Sequence, residues 1–214
     1  MHKYFIKTPW WARKIFSSYV WHIPSAEKIV YLTFDDGPHP TVTPWVLNEL
    51  KKHDAKATFF CIGNNVVQYP GVFEQLISEG HAIGNHTHHH LNGWKTAAKD
   101  YLVDVNAASK CISTNLFRPP YGRIKTAQAK GLATAMNVTK SFVIMWDVLS
   151  ADFDIKMSPD ECIKNVLQHV RPGSIVVFHD SEKAFANLQY TLPVVLTRLR
   201  NEDYRFEEIV IGRL

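Results

Sequence analysis

Several features that would define other classes of protein are scarce or missing in this chain. Cysteine occurs only as Cys61, Cys111 and Cys162, an odd number at wide spacing with no C-x-x-C pair. This pattern argues against a disulfide framework and favours reduced, buried thiols. No apolar run reaches the roughly 18 residues that a membrane-spanning helix needs. Low-complexity linkers and sequence repeats are also absent, so the 214 residues suit one large domain.

Charge is only weakly biased. The formal net charge is +4, but the lysines and arginines are scattered and do not form one periodic face. We therefore expect no nucleic-acid partner. Apolar residues make up 46% and charged residues 21% of the chain, ordinary values that exclude disorder over its whole length. No feature of the sequence predicts the oligomeric state.

The N-terminal segment, residues 1–27, is basic and aromatic. It lacks a clean apolar core and a small-residue cleavage site, so it does not match an export signal. Two interpretations stay open: an amphipathic element at a membrane surface, or, as we prefer, a short helix that packs across the end of the domain. We expect residues 28–214 to form the main domain and the protein to be cytoplasmic or membrane-peripheral, with an exported form still open.

Buried strands and helices alternate along the rest of the chain. Short runs rich in Ile, Val and Phe predict strands at 28–34, 57–62, 81–86, 141–146 and 174–179, with weaker ones at 116–121 and 204–209. Helical periodicity and capping residues predict helices at 43–53, 72–80, 94–113, 158–170 and 191–202. Repeated strand–helix units predict a parallel sheet, either an open doubly wound sheet or a barrel.

Polar clusters follow five of these strands, and their position favours the barrel. In a βα barrel the carboxyl ends of all strands surround one mouth, whereas an open sheet would leave some of the clusters apart from the site. We therefore predict an incomplete α/β barrel in which these clusters converge on a single site.

Two of the clusters together indicate a metal. His86 and His90 are four residues apart and would lie on one face if the chain turned helical after its strand, although His88 and His89 are competitors. Of the adjacent carboxylates Asp35 and Asp36, one can ligate the ion while the other faces the substrate. Two imidazoles and one carboxylate with open positions are the ligand pattern of a catalytic metal site.

The remaining clusters supply groups for hydrolysis. His179 is the natural acid for a leaving group, and Asp152 can orient it and hold it protonated. Arg118 can orient a carboxylate through its planar guanidinium. Tyr121 follows two prolines, and its backbone N–H can donate to an oxyanion.

In this order, the motifs TFDDGP, HTHHH, RPPYG, SADF and VFH resemble those of the polysaccharide deacetylases with the NodB-homology domain, carbohydrate esterase family 4. The resemblance covers about residues 28–212 and implies a distorted (β/α)7 barrel in a single domain. It also implies a metal-dependent hydrolase that removes N- or O-acetyl groups from a carbohydrate and releases acetate, with a glycan that contains N-acetylglucosamine favoured as substrate.

The resemblance also implies a role for each site residue. Asp35 looks like the base, Arg118 like its partner, and Asp152 like the partner of the acid, His179. The other assignments are metal ligation by Asp36, His86 and His90, oxyanion stabilisation by the Tyr121 N–H, and a substrate pocket lined by Tyr121, Phe153 and Val177.

Three residues depart from the family pattern, and they bear on the substrate and not on the reaction type. Ser150 stands where the fourth motif usually begins with aspartate, Phe153 where it usually ends in tryptophan, and Val177 where the family usually has leucine. Zinc is the favoured cofactor, with cobalt, nickel or manganese as alternatives. Two other functions stay open: a metal amidohydrolase that acts on a noncarbohydrate amide, and a noncatalytic glycan-binding module. The second would predict loss of Asp35 or His179, and both are present.

Overall fold

A computed structural model describes residues 4–213, which form a single barrel-like α/β domain. The strands within this range are β1 Ile29–Asp35, β2 Ala57–Cys61, β3 Ala82–Asn85, β4 Leu116–Phe117, β5 Phe142–Val143, β6 Val148–Leu149, β7 Ile175–His179 and β8 Arg205–Phe206. The α-helices are α1 Trp10–Ile15, α2 Val42–Lys52, α3 Gly63–Gln68, α4 Pro70–Ser78, α5 Ala98–Ser109, α6 Thr126–Ala135, α7 Pro159–Leu167 and α8 Glu182–Asn201.

Seven parallel strands curl into an incomplete barrel in the order β5-β4-β3-β2-β1-β7-β6, and β8 adds a short pairing to β1. Every residue of β1 and β2 is buried, which explains why these strands appear in the sequence as continuous apolar runs. The predicted fold class, a distorted (β/α)7 barrel in a single domain, is confirmed.

Alternate residues of β1 face opposite sides of the sheet. Leu32 and Phe34 pack with the surrounding helices in the large core cluster, whereas Tyr31 belongs to a second cluster on the other face. Because side chains alternate along a strand, Thr33 and Asp35 share the inner side with Tyr31. The last residue of β1 therefore points into the barrel mouth.

The sequence predicted where some helices begin or end more accurately than it predicted how long the helices are. The capping box at Ser158 and Glu161 begins α7 as predicted, and Gly80 has φ +75° just after α4. The helix predicted at 94–113 is shorter, because a 3-10 turn over Gly93–Lys95 precedes α5. The strand predicted at 141–146 is reduced to β5, and the helix predicted at 191–202 is the second half of α8.

Three elements were missed. α3 and β6 are too short to show a period, with six and two residues. The sequence of α6, TAQAKGLATA, contains mostly small residues, so its buried face carries little apolar contrast.

The N-terminal segment lies along the free edge between β5 and β6. The Val20 N–H donates to the Val143 carbonyl at 2.9 Å, and the Leu149 N–H donates to the Ile6 carbonyl at 2.8 Å. The residues that flank α1 thus pair with the barrel edge, while the choice between the two interpretations of the segment and the division of the chain at residue 28 stay predictions. Within residues 4–213, no helix has the length and apolar character to cross a bilayer.

Candidate active site

Asp35 and Asp36 leave β1 in different directions. Asp35 is the last residue of the strand and is buried, and its Oδ1 accepts a hydrogen bond from Arg118 Nη1 at 2.7 Å. Asp36 has φ +78°, a left-handed conformation that turns its side chain toward the histidine loop. The two adjacent carboxylates thus have separate partners, and their division into a metal ligand and a substrate-facing group stays a prediction.

A third carboxylate, Asp180, supports this turn from beneath. It is fully buried, and it accepts from the Gly37 N–H at 3.1 Å and from Thr43 Oγ1 at 2.5 Å. A Cβ on Gly37 would lie only 2.0 Å from Asp180 Oδ2, so the turn requires glycine at this position. Burial raises the pKa of Asp180 to about 7, against the lowering effect of the Thr43 hydrogen bond.

The two ligand-candidate histidines meet Asp36, but not through a helical turn. That expectation was wrong: the chain after β3 is irregular, and Thr87 and His90 have φ values of +66° and +55°. His90 Nε2 lies 3.1 Å and His86 Nε2 lies 3.6 Å from Asp36 Oδ1. The pair that the spacing predicts therefore does converge on Asp36, but through two left-handed residues, and its role as metal ligand stays a prediction.

Side chains and backbone groups within the loop hold this unusual path. Asn85 Oδ1 accepts from the Thr87 N–H at 2.8 Å, and Thr87 Oγ1 accepts from the Leu91 N–H at 3.2 Å. Thr87 is fully buried, so both bonds lie away from solvent. These contacts offset the energetic cost of the left-handed backbone conformation, which a threonine rarely adopts.

Asp104 on α5 is a second anchor for the loop, and no motif or spacing in the sequence predicted it. Its carboxylate accepts from the backbone N–H groups of His88 and His89 at 2.8 and 3.0 Å, and from His89 Nδ1 at 2.6 Å. The His89 imidazole contacts Asp104 and His88 Nδ1 lies beside Gly63, so neither imidazole joins the Asp36 cluster. Their backbone, rather than their imidazoles, therefore fixes the position of His90.

The donor set of Asp36, His86 and His90 fits a divalent cation. One ligand atom from each residue lies within 4.8 Å of the other two. His86 Nδ1 donates to the Arg118 carbonyl at 2.8 Å, which leaves Nε2 with a lone pair toward Asp36. Burial lowers the pKa of His86 to about 4, so this imidazole is neutral at neutral pH. Burial raises the pKa of Asp36, but its hydrogen bond with His90 and the nearby histidines outweigh it and lower the pKa overall.

Arg118 is a fully buried cation at the centre of the site. Its Nη1 donates to Asp35 and to Thr33 Oγ1, both at 2.7 Å, and its other nitrogens donate to the carbonyls of Ile144 and Met145, each at 3.1 Å. The guanidinium is therefore immobilised on three sides and orients Asp35 at the mouth of the barrel.

His179 faces Asp35 across two paired strands. The two residues are register partners at the ends of β1 and β7. His179 Nδ1 donates to Asp152 Oδ1 at 2.8 Å, and the His179 N–H donates to Asp152 Oδ2 at 2.8 Å. Burial lowers the pKa of His179, but the charge and hydrogen bond of Asp152 outweigh it and raise the pKa to about 9.

Tyr121, Phe153 and Val177 occupy three different positions around these groups. The Tyr121 ring lies 4.7 Å from the His90 ring, and the residue has φ +60°. The Phe153 ring packs edge-on against His179 at 4.9 Å. Val177 is buried two residues before His179 on β7, so it lies on the same face one layer deeper.

Comparison with known proteins places this arrangement in a class. The sequence pattern of the polysaccharide deacetylase family matches residues 22–139. The chain belongs to this family, and the predicted general activity, a carbohydrate deacetylase, is confirmed at that level.

Individual relatives cover most of the chain. A peptidoglycan-N-acetylglucosamine deacetylase of Bacillus cereus is 35% identical over 87% of this chain and 88% of its own length. A chitooligosaccharide deacetylase of Azorhizobium caulinodans is 36% identical over 74% of this chain and 76% of its own. A crystal structure of a peptidoglycan N-acetylglucosamine deacetylase superposes with a TM-score of 0.79 at 30% identity, and the match covers 90% of this chain and 91% of that one.

Proposed function

We propose that this chain is a metal-dependent deacetylase that removes the N-acetyl group from a glycan containing N-acetylglucosamine. The observation that carries the proposal is the convergence of three groups at one barrel mouth. These are the Asp36–His86–His90 cluster, the Asp35–Arg118 pair and the Asp152–His179 pair.

Asp36, His86 and His90 would hold the cation, and zinc suits two neutral imidazoles and a carboxylate best. A cation bound there would supply positive charge that polarises the acetyl carbonyl and acidifies water. Cobalt, nickel and manganese are the alternatives. The hydrogen bond from His86 Nδ1 to the Arg118 carbonyl supports this assignment, because it directs the ring and fixes its tautomer.

Asp35 would act as general base. Arg118 holds one of its oxygens at 2.7 Å, so the carboxylate has a fixed orientation at the mouth. It would take a proton from the attacking water as the C–O bond to the acetyl carbon forms. The backbone N–H of Tyr121 would donate to the oxyanion that develops on the carbonyl oxygen.

His179 would act as general acid. Its Nδ1 is committed to Asp152, which leaves Nε2 to donate a proton to the leaving amine as the C–N bond breaks. With a pKa raised to about 9, the imidazole carries that proton at neutral pH. Acetate and a free glucosamine residue would be the products.

The substrates of the relatives and the residues of the pocket support an N-acetylated sugar as the substrate over other acetylated compounds. The named relatives act on peptidoglycan N-acetylglucosamine and on chitooligosaccharides. Phe153 beside His179 offers an apolar ring for the sugar face, and Val177 offers a small apolar contact for the methyl group. We propose no nucleic-acid partner.

Acetate release from a panel of N-acetylated chito-oligosaccharides, peptidoglycan fragments, aryl acetates and N-acetyl amides without a sugar tests the proposal. We expect activity on the oligosaccharides that a chelator removes and added zinc restores. Release of acetate only from non-sugar amides would favour the amidohydrolase alternative. A metal-loaded protein that binds the glycans but releases no acetate would favour the noncatalytic module.

A further inference from the structure

Helix α1 presents its large apolar side chains to solvent and one of its two cationic side chains, Arg13, to the domain. Trp10 is 75% exposed, Trp11 46% and Ile15 66%, and none of the six helix residues is buried. Arg13, by contrast, turns inward and pairs with the buried Asp147. A surface helix of a soluble domain ordinarily has the opposite polarity.

The apolar surface continues beyond the helix on both sides. Phe5 is exposed and packs edge-on against Trp11 with ring centroids 6.2 Å apart. Phe16 is also exposed and stacks on Tyr19 at 5.8 Å. We call Phe5, Trp10, Trp11, Ile15 and Phe16 the aromatic face. A contiguous exposed patch of this kind marks an interaction surface.

The aromatic face is held firmly, so its exposure is not that of a loose tail. Lys7 Nζ donates to Asp147 at 2.7 Å, and the Thr8 N–H donates to the Asp147 carbonyl at 3.1 Å. Ser174 Oγ donates to the same carboxylate at 2.7 Å. Arg171 adds a third cation at 3.6 Å. The segment is thus fixed to the barrel edge with its apolar side outward.

The charge around the aromatic face is positive. Residues 1–26 contain the basic residues Lys3, Lys7, Arg13 and Lys14, and no aspartate or glutamate. Lys14 is exposed and lies one helical turn after Trp10, on the same side of α1. Beneath them, three cations surround the single carboxylate of Asp147. Exposed tryptophans above a region of net positive charge are suited to bind at the interface of an anionic bilayer.

We infer that the aromatic face docks on the surface of an anionic lipid bilayer, with the tryptophans at headgroup depth and Lys14 near the lipid phosphates. Exposed Ile15 favours this partner over a sugar, because an aliphatic side chain cannot stack on a sugar as an aromatic ring does. The positive charge favours it over a second copy of the chain, since two copies of the same basic face would repel each other.

Docking of this face would place a bilayer beside the proposed active site. Tyr4, next to Phe5, packs against Phe153 with ring centroids 5.3 Å apart, and Phe153 contacts His179. A glycan held at the lipid surface would therefore lie within reach of the barrel mouth. The docking itself needs no catalytic group, so it can be measured separately from deacetylation.

Vesicle co-sedimentation of the full chain tests the inference. We expect binding to mixed phosphatidylcholine–phosphatidylglycerol vesicles that exceeds binding to pure phosphatidylcholine and weakens as salt rises. The double variant Trp10→Ser and Trp11→Ser should bind about tenfold more weakly, because it removes most of the apolar anchor. Lys14→Glu should reduce binding to the anionic vesicles only.

Matched controls keep the outcome clear. Tyr190→Ser and Val67→Ser remove similarly exposed side chains on other parts of the domain, α8 and α3, and should leave vesicle binding unchanged. Equal vesicle binding by the wild type and the double tryptophan variant would overturn the inference. A dimer that depends on the tryptophans, in the absence of vesicle binding, would also overturn it. Adsorption to insoluble chitin or peptidoglycan that depends on the tryptophans, in the absence of vesicle binding, would do the same. Acetate release from soluble oligosaccharides should be the same in the wild type and the double variant.

Discussion

Asp35 and Asp36 are neighbours in the chain, yet they belong to two sides of the site that are built differently. Asp35 and its register partner His179 end regular parallel strands, and their orientation follows from strand alternation. Asp36 and His90 lie on irregular loops and have left-handed backbones, with φ +78° and +55°. The strand side is fixed by the sheet ladder, whereas the loop side depends on side-chain supports such as Asp104, Thr87 and Asp180.

This difference predicts where each side is vulnerable. A residue on the strand side can be replaced by an isostere with little change in its neighbours, because the ladder keeps the backbone in place. On the loop side the ligands and their supports depend on one another, so a change there should alter metal affinity first. Metal content and turnover, measured on the same samples, separate the two sides.

The largest effect is expected from loss of a ligand. His86→Ala, His90→Ala or Asp36→Asn should reduce bound zinc strongly and bring acetate release close to background, because two remaining donors hold a cation weakly. Metal analysis after dialysis and calorimetric zinc titration provide the measurement. Full zinc occupancy in His90→Ala would contradict the ligand assignment.

Asp35→Asn should separate the two sides most clearly. Acetate release should fall by about 10²–10⁴-fold, since the base is lost, while zinc affinity stays near that of the wild type. Asp36→Asn is the matched comparison one residue away. Equal loss of zinc in both variants would overturn the division of roles between the two carboxylates.

Sequence reasoning reached the strand side more completely than the loop side, for a physical reason. Strands carry a two-residue period, so polar residues at their carboxyl ends predicted the convergence of Asp35 and His179. The left-handed backbone at His90 leaves no periodic trace, and the helical geometry expected there was wrong. The four-residue spacing and the family resemblance both pointed to His86 and His90, and neither revealed the backbone path that brings them to Asp36.

The supporting residues were missed because their partners are distant in the chain. Asp104 resembles any other acidic residue on an amphipathic helix until the fold brings it to the His88 and His89 N–H groups. Asp180 follows His179 directly, and a polar residue next to a predicted acid was the one available signal. Its contact with Gly37 spans most of the barrel sequence, so spacing could not reveal it.

On the strand side, Asp152→Asn should change the pH profile. In the wild type the acid works while His179 is protonated, so activity should decline as pH rises through its pKa of about 9. Without the Asp152 charge, burial lowers that pKa, and the decline should move to lower pH with a loss of about 10²-fold at neutral pH. A pH–rate profile from initial acetate release measures the shift, and an unmoved alkaline limb would contradict it.

On the loop side, Asp104→Asn should weaken zinc binding by about tenfold, because residues that orient ligands typically have effects of this size. The amide loses the charge that receives two backbone N–H groups and the His89 imidazole. Asp100→Asn, an exposed carboxylate on the same helix, is the matched control and should leave affinity unchanged. If Asp104→Asn lost activity but kept its zinc, Asp104 would act on turnover and not on metal binding, which would contradict its assignment to the loop side.

The smallest effects are expected from His88 and His89, which share the histidine cluster without facing Asp36. The His89 imidazole is largely exposed and donates to Asp104, and the same carboxylate also accepts from the backbone N–H groups of His88 and His89. His89→Ala removes one of three bonds to that carboxylate and keeps the two backbone ones, so zinc affinity and turnover should stay within about twofold of the wild type. His88→Ala should behave alike. A large loss of zinc in His89→Ala, equal to that of Asp104→Asn, would mean that the imidazole rather than the backbone transmits the effect of Asp104 to His90.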